Sequence, residues 1–311
     1  MRSLSLEQVK LIVDAVNEDL TLFSAGALEK DFHLTEVLRA LSRVESGDFK
    51  LSFCGGTSLV KAHGCLNRMS EDIDIKIVDQ ALLNKSATRR KLNLLKVRIT
   101  KALTDADFHI ETVEAKNENR FLTYNLMYNP VFPKEVSLRA EIKLEITYAQ
   151  AALPLENLPI RSILLRDIGF TETELLFPCI ALEQTQAEKV LSFLRRSRNS
   201  QMNNNIDDTL IRHIHDVHIL DSLNLNFLRV KQAFNMAILE DVAKFKNQDY
   251  EFAHNPKLVL TSTLNQAKFD STLKPAYIKF VTNLVAGDAP SFESAISTFS
   301  SVAEKLIETI N

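Results

Sequence analysis

The chain has 311 residues, and at roughly 100–200 residues per domain it has room for two lobes. Its composition, 45% hydrophobic and 25% charged, is that of a globular protein that buries a core without disulfides or structural metals. The 37 basic and 40 acidic residues leave a net charge of −3, which excludes broad coating of nucleic acid and confines any such contact to a local patch.

Three cysteines, Cys54, Cys65 and Cys179, form no CxxC pair, so they read as reduced thiols and point to a cytoplasmic protein. Neither a signal peptide nor an uncharged stretch of membrane-spanning length is expected, and membrane contact is excluded on that ground.

In chain order, Ser5 and Gln8 form a capping box ahead of Val9, Ile12, Val13, Val16 and Leu20, which recur at helical spacing. A second helix is predicted over 35–44, and residues 51–54 read as a short apolar strand ended by Gly55-Gly56. Thr57 caps a short helix that stops at Gly64. Residues 72–78 alternate cleanly: Ile73, Ile75 and Ile77 face one way, Asp72, Asp74 and Lys76 the other, as in a half-buried strand.

Residues 86–103 predict a basic amphipathic helix. A β-rich stretch follows over 108–148, with a turn at 116–119 and a last strand over 138–147. One more strand is expected near 160–165. Helices are expected over 180–197, 207–222, 225–245 and 291–310, with a polar break at 199–205. The pattern is an α/β lobe, 1–165, followed by a mainly helical lobe, 166–311.

Three of only seven glycines, Gly55, Gly56 and Gly64, fall within ten positions. A strand, a Gly-Gly turn and a helix N-terminus direct backbone N–H groups at an anion, with Thr57 or Ser58 as further donors. Read alone, this is an ordinary strand-to-helix turn. Asp72 and Asp74 place two carboxylates on one face of a strand, a donor set suited to hard divalent cations such as Mg²⁺ or Mn²⁺.

The order of these parts carries the argument further. The segments Phe53-Cys54-Gly55-Gly56-Thr57-Ser58-Leu59-Val60-Lys61 and Arg68-Met69-Ser70-Glu71-Asp72-Ile73-Asp74-Ile75 resemble the two signatures of the AbiEii/AbiGii toxin family of polymerase-β-like nucleotidyltransferases. Gly56-Thr57 stands where the wider superfamily has Gly-Ser. Ala187-Glu188-Lys189-Val190-Leu191 and Arg212-His213-Ile214-His215-Asp216-Val217 resemble later helical motifs of that family.

The resemblance implies a nucleotidyltransferase lobe of α/β (α+β) class with a mixed β-sheet, completed by the helical lobe. It implies transfer of an NMP from an NTP to an acceptor hydroxyl, with Mg²⁺ on Asp72 and Asp74. Gly55, Gly56, Thr57 and Ser58 would hold the nucleotide, Lys189 would meet the triphosphate, and Asp216 would orient a neighbouring group or the base. A third metal-side carboxylate is expected on the 138–147 strand. Glu141 and Glu145 both qualify, and Glu145 is favoured because 143–146 is closer to the family's strand. The biological role implied is the toxin of a bacterial toxin–antitoxin or phage-defence pair, with RNA, tRNA included, as acceptor and a cognate antitoxin as partner.

Two other readings of the same residues are a metal-dependent glycosyltransferase using Asp-x-Asp and a non-catalytic module of the same fold. His213, His215 and His218 lack the further ligands a zinc site needs. The run 195–198 reads as a solvated basic helix end or as an RNA-phosphate contact. Without the resemblance, Lys189 reads equally well as a surface lysine.

Overall fold

The computed structural model describes residues 1–81, 83–133, 138–169, 175–203, 207 and 209–310. The chain parts into two compact units, Met1–Ala151 with Leu155–Ile180, and Ala152–Pro154 with Ala181–Asn311. In the first unit the elements are α1 (Leu6–Asn17), α2 (Ala25–Ser42), β1 (Phe49–Cys54), α3 (Gly55–Lys61), β2 (Asp72–Asp79) and α4 (Lys85–Asp105). Then come β3 (His109–Lys116), β4 (Phe121–Met127), β5 (Ile142–Tyr148), β6 (Glu156–Ile160), α5 (Ile163–Asp167) and β7 (Leu175–Cys179).

The strands form one mixed seven-stranded sheet in the order β3-β4-β5-β2-β1-β7-β6. The β2–β5 and β1–β7 pairs are parallel, and the other neighbours antiparallel. The alternation read from 72–78 sets its centre: Ile73, Ile75 and Ile77 are buried, while Asp72, Asp74 and Lys76 are partly exposed. One apolar row crosses the sheet through Leu122, Ile146, Ile75, Phe53 and Cys179, every member of it buried. Each large side chain so buried stabilises the fold by about 1.5–3 kcal/mol.

The capping box at Ser5 and Gln8 forms as the sequence suggests, with both reciprocal hydrogen bonds present. Three element readings change. The second helix starts at Ala25 behind the cap Ser24, ten residues before the periodic stretch, because α2 turns Glu29, Lys30, Asp31 and His33 inward. The last strand of the β-rich stretch starts at Ile142 rather than 138, because the Arg139 backbone bonds Lys30 and Glu71. The apolar run at 163–165 is helical: Ser162 caps α5, and the strand before it ends at Ile160. Beyond residue 165, β7 returns to pair with β1 and so belongs to the sheet.

Buried ion pairs hold α2 within this unit. Lys61 on α3 donates to Asp31 at 2.6 Å, and Asp31 also accepts from the Ile163 N–H at 2.7 Å. Lys30 donates to Glu71 at 2.8 Å. Removing one partner of such a pair strands a buried charge, at a cost of about 3–5 kcal/mol.

The second unit comprises α6 (Leu182–Asn203), α7 (Ile211–Ser222), α8 (Phe227–Phe245), α9 (Tyr250–His254), α10 (Pro256–Lys268), α11 (Leu273–Leu284) and α12 (Phe292–Glu308). Its core gathers Phe193, Ile214, Phe234, Phe252 and Phe299, with Phe193 edge-on to Phe299 at 4.6 Å. The polar break expected at 199–205 is helical as far as Asn203, and Asn204 and Asn205 lie outside the described residues.

The basic run on α6 is not a solvated end. Arg195 lies over the Phe252 ring at 3.7 Å and donates to Asp249 at 2.8 Å. Arg198 donates to Asp249 at 2.9 Å, and Arg196 is paired with Asp207. Burial alone would raise the Asp249 pKa. Hydrogen bonds from Arg198, the Phe252 N–H and Arg195 outweigh it and hold the carboxyl at about 2.

A carboxylate depressed in this way stabilises the fold above its unfolded-state pKa, and that stability is lost as pH falls through the folded-state value. Asp249→Asn should therefore cost about 2 kcal/mol in urea unfolding at neutral pH. It should also flatten the loss of stability that the wild type shows between about pH 4 and pH 2. Unchanged stability at neutral pH would show that the arginine clamp is energetically idle.

Candidate active site

At the end of β1 the chain enters α3 through two glycines that the geometry requires. Gly55 has φ +76°, a left-handed conformation, and a Cβ there would lie 2.1 Å from Asp74 Oδ2. A Cβ on Gly56 would lie 2.4 Å from Arg68 Nη2. The turn is therefore flush against one carboxylate and one guanidinium.

Thr57 does not cap the helix. It sits inside α3, buried, with its hydroxyl donating to the Asp72 carbonyl and 2.7 Å from Ser70 Oγ. The buried Ser58 hydroxyl donates to the Gly55 carbonyl at 2.9 Å. Both hydroxyls tie the turn to β2 and to itself, so its contribution to anion binding rests on the backbone. Lys61, the last residue of that segment, is held by Asp31.

Strand register brings the acidic residues together. Cys54 on β1 is paired with Asp74 on β2, and Asp74 with Glu145 on β5. Two residue pairs along, Asp72 is beside Lys143. Thus Asp72, Asp74 and Glu145 share the polar face of two adjacent strands. Glu141 precedes β5, and its charge acts on Arg139 instead.

Two cations hold this face. Arg139 Nη2 donates to Asp72 Oδ1, and Lys143 is paired with Glu145. Arg139 also approaches Glu71 at 3.5 Å. Although burial opposes charge on Arg139, Asp72 and Glu71 raise its pKa. Burial likewise opposes charge on Glu71, and Lys30 and Arg139 overcome it and lower the pKa.

Among the described residues no three His, Cys, Asp or Glu side chains converge tightly enough to hold a metal as they stand. The donor set of Asp72, Asp74 and Glu145, all oxygen and on one face, nevertheless fits a hard divalent cation once Arg139 and Lys143 give way.

In the second unit, Lys189 on α6 is buried rather than on a solvated face. Its ammonium donates to Asp216 Oδ2 on α7 at 2.7 Å, and His215 Nδ1 lies 3.2 Å from Asp216 Oδ1. The two residues singled out from the helical motifs are thus direct partners. His218 bonds Thr298, and His213 faces Arg196, so the histidines do not gather.

Sequence reasoning missed the Lys30–Glu71–Arg139 chain. Glu71 lies inside the second signature segment, and that position was its only signal. Lys30 had none, since its partner is 41 residues away.

A mixed sheet carrying a Gly-Gly turn beside paired carboxylates, together with a helical unit, is the architecture of a nucleotidyltransferase. Residues 36–299 match the family described as nucleotidyl transferase AbiEii toxin, type IV toxin–antitoxin system, and the chain belongs to that family. It is an enzyme of the nucleotidyltransferase class and a toxin of the type IV toxin–antitoxin group. Its fold is similar to that of MenT4, a nucleotidyltransferase toxin from Mycobacterium tuberculosis. The TM-score is 0.61 at 16% identity, covering 99% of this chain and 91% of that one. Among curated proteins the chain has no match. No described helix is long and apolar enough to cross a membrane.

Gly55→Ala should combine left-handed strain with a collision against Asp74, lowering stability by about 1–3 kcal/mol and removing activity. Gly64→Ala has the same φ penalty but open space, so it should lose only about 1–2 kcal/mol and keep activity. Thermal melts paired with a transfer assay check this. Equal loss of activity in both variants would contradict the close approach of the turn to Asp74.

Proposed function

We propose that the chain transfers an NMP from an NTP to a hydroxyl of RNA, tRNA included, with Mg²⁺ or Mn²⁺ held by Asp72, Asp74 and Glu145. The observation that carries this reading is the row in which the Gly55 turn, Asp74 and Glu145 are neighbours. The cation, when bound, supplies positive charge to the phosphate oxygens and the leaving group. The turn's backbone N–H groups from Gly55 to Ser58 hold the phosphates. Within the second unit Asp216 orients the Lys189 ammonium, which the family resemblance makes a nucleotide contact. The acceptor hydroxyl oxygen bonds to the α-phosphorus as the bond to the β-phosphate oxygen breaks, releasing pyrophosphate, and the hydroxyl proton passes to solvent water.

Exposed cations for an RNA backbone lie on α4 at Lys85 and Arg90, with Arg89 and Lys101 also exposed but paired with Glu118 and Asp105. Arg195, Arg196 and Arg198 are tied to Asp249 and Asp207, so α4 is the better surface for phosphates. In the cell the activity arrests growth by modifying RNA needed for translation, acts in the cytoplasm, serves phage defence, and is opposed by an antitoxin protein encoded beside it. No observation favours a nucleotide sugar as substrate, and the family match stands against that alternative.

The test is incubation with each labelled NTP, Mg²⁺ and total cellular RNA or protein. Label should enter RNA. Asp72→Asn and Asp74→Asn should each reduce labelling by about a hundredfold or more with little change in melting temperature, since both side chains face away from the core. Near-normal labelling by either variant would overturn the mechanism, and label entering only protein would overturn the acceptor.

A further inference from the structure

Asp72 is held by one side chain whose anchorage does not depend on it. The Arg139 N–H donates to Glu71 at 2.8 Å, and the Arg139 carbonyl accepts from Lys30 at 2.7 Å. The backbone at 139 is therefore clamped from both sides, whatever its side chain does. Lys30, at 2.8 Å, and that N–H both donate to Glu71 Oε2, so the buried pair is held independently of the guanidinium. The guanidinium instead reaches Asp72, while staying 3.5 Å from Glu71. Both ends of the Arg139–Asp72 contact are accessible, the side chains being 39% and 30% exposed. The buried Lys30–Glu71 pair beneath is not, at 1% and 6%.

We propose that Arg139 is a stand-in cation: it holds the Asp72 carboxylate in place until a divalent cation takes over, and competes with that cation for it. The inference rests on the assignment of Asp72 as a metal ligand. Exchange leaves the buried pair in place, because Glu71 Oε2 keeps Lys30 and the clamped backbone N–H. The released guanidinium stays beside Glu71, one residue from the carboxylate it has left. Asp72 is thereby oriented before metal arrives, which lowers the ordering cost of binding, while the lost ion pair sets the apparent affinity. Arg139 is thus a positioning residue for the metal site and not a catalytic one.

The test is Mn²⁺ binding to the full chain without nucleotide, read as free Mn²⁺ by electron paramagnetic resonance. Arg139→Gln should bind Mn²⁺ about three- to fivefold more tightly than wild type, the upper range for an accessible ion pair. Arg139→Lys, which keeps the charge but loses the planar fork, should gain a smaller increase. Arg120→Gln removes a charge that lies over the Tyr148 ring and should change affinity less than about twofold, as expected for a screened surface charge. Melting temperatures without metal should stay close to wild type in all three.

Equal Mn²⁺ affinity in wild type and both Arg139 variants would overturn the stand-in role while leaving the metal assignment intact. A gain in Arg120→Gln as large as in Arg139→Gln would reduce the effect to net charge and overturn it as well. Absence of Mn²⁺ binding in wild type and every variant would overturn the metal assignment, and this inference with it.

Discussion

Strand β2 is locked between β1 and β5 in one register because Ile73, Ile75 and Ile77 need the buried face of the sheet. A slip of one residue would put these isoleucines in solvent and bury Asp72 and Asp74 without partners. The same register fixes everything polar around it. Cys54 comes to rest beside Asp74, so the chain that follows it, Gly55-Gly56, turns against the Asp74 carboxylate. On the other side Asp74 meets Glu145. Hydrophobic burial on one face of the sheet thus assembles an acidic row and an anion-facing turn on the other.

Electrostatics then manages a face that carries too much negative charge to be left alone. Arg139 takes Asp72 and Lys143 takes Glu145, while on α2 Lys30 is matched by Glu71 and Asp31 by Lys61. The buried pairs Lys30–Glu71 and Asp31–Lys61 fix how α2 docks, since either misplaced would leave an unpaired charge in the core. The accessible pairs above them are cheaper to exchange. That gradient, from buried and permanent to exposed and replaceable, is what the proposed cation site requires. In the second unit Lys189, Asp216 and His215 form a comparable buried group.

Much of this was legible in the sequence where one face is apolar and the other is not. The alternation at 72–78 defined β2, the glycine pair defined the turn, and the signature segments gave the family. Where charges point inward, the pattern disappears. Residues 25–34 of α2 show no polar stripe because Glu29, Lys30, Asp31 and His33 are buried with the leucines. The run 163–165 was too short for its apolar residues to distinguish helix from strand. Nothing in the local sequence directs Arg139 to Asp72; the three-dimensional clamp of its backbone does. The arginines at 195–198 looked solvated because Asp249, which holds two of them, is 51 or more residues away.

In the proposed metal site, register rather than mere acidity selects the third carboxylate. Glu145, within β5, and Glu141, just before it, sit four positions apart, both acidic and both predicted to share a strand face. Only Glu145 is paired with Asp74. The direct measurement is Mg²⁺-dependent transfer from labelled NTP by Glu145→Gln and Glu141→Gln at matched stability. Transfer by Glu145→Gln should fall about a hundredfold or more, as for loss of a group that stabilises the transition state, and that of Glu141→Gln by less than about threefold. Equal losses, or a greater loss in Glu141→Gln, would contradict the account.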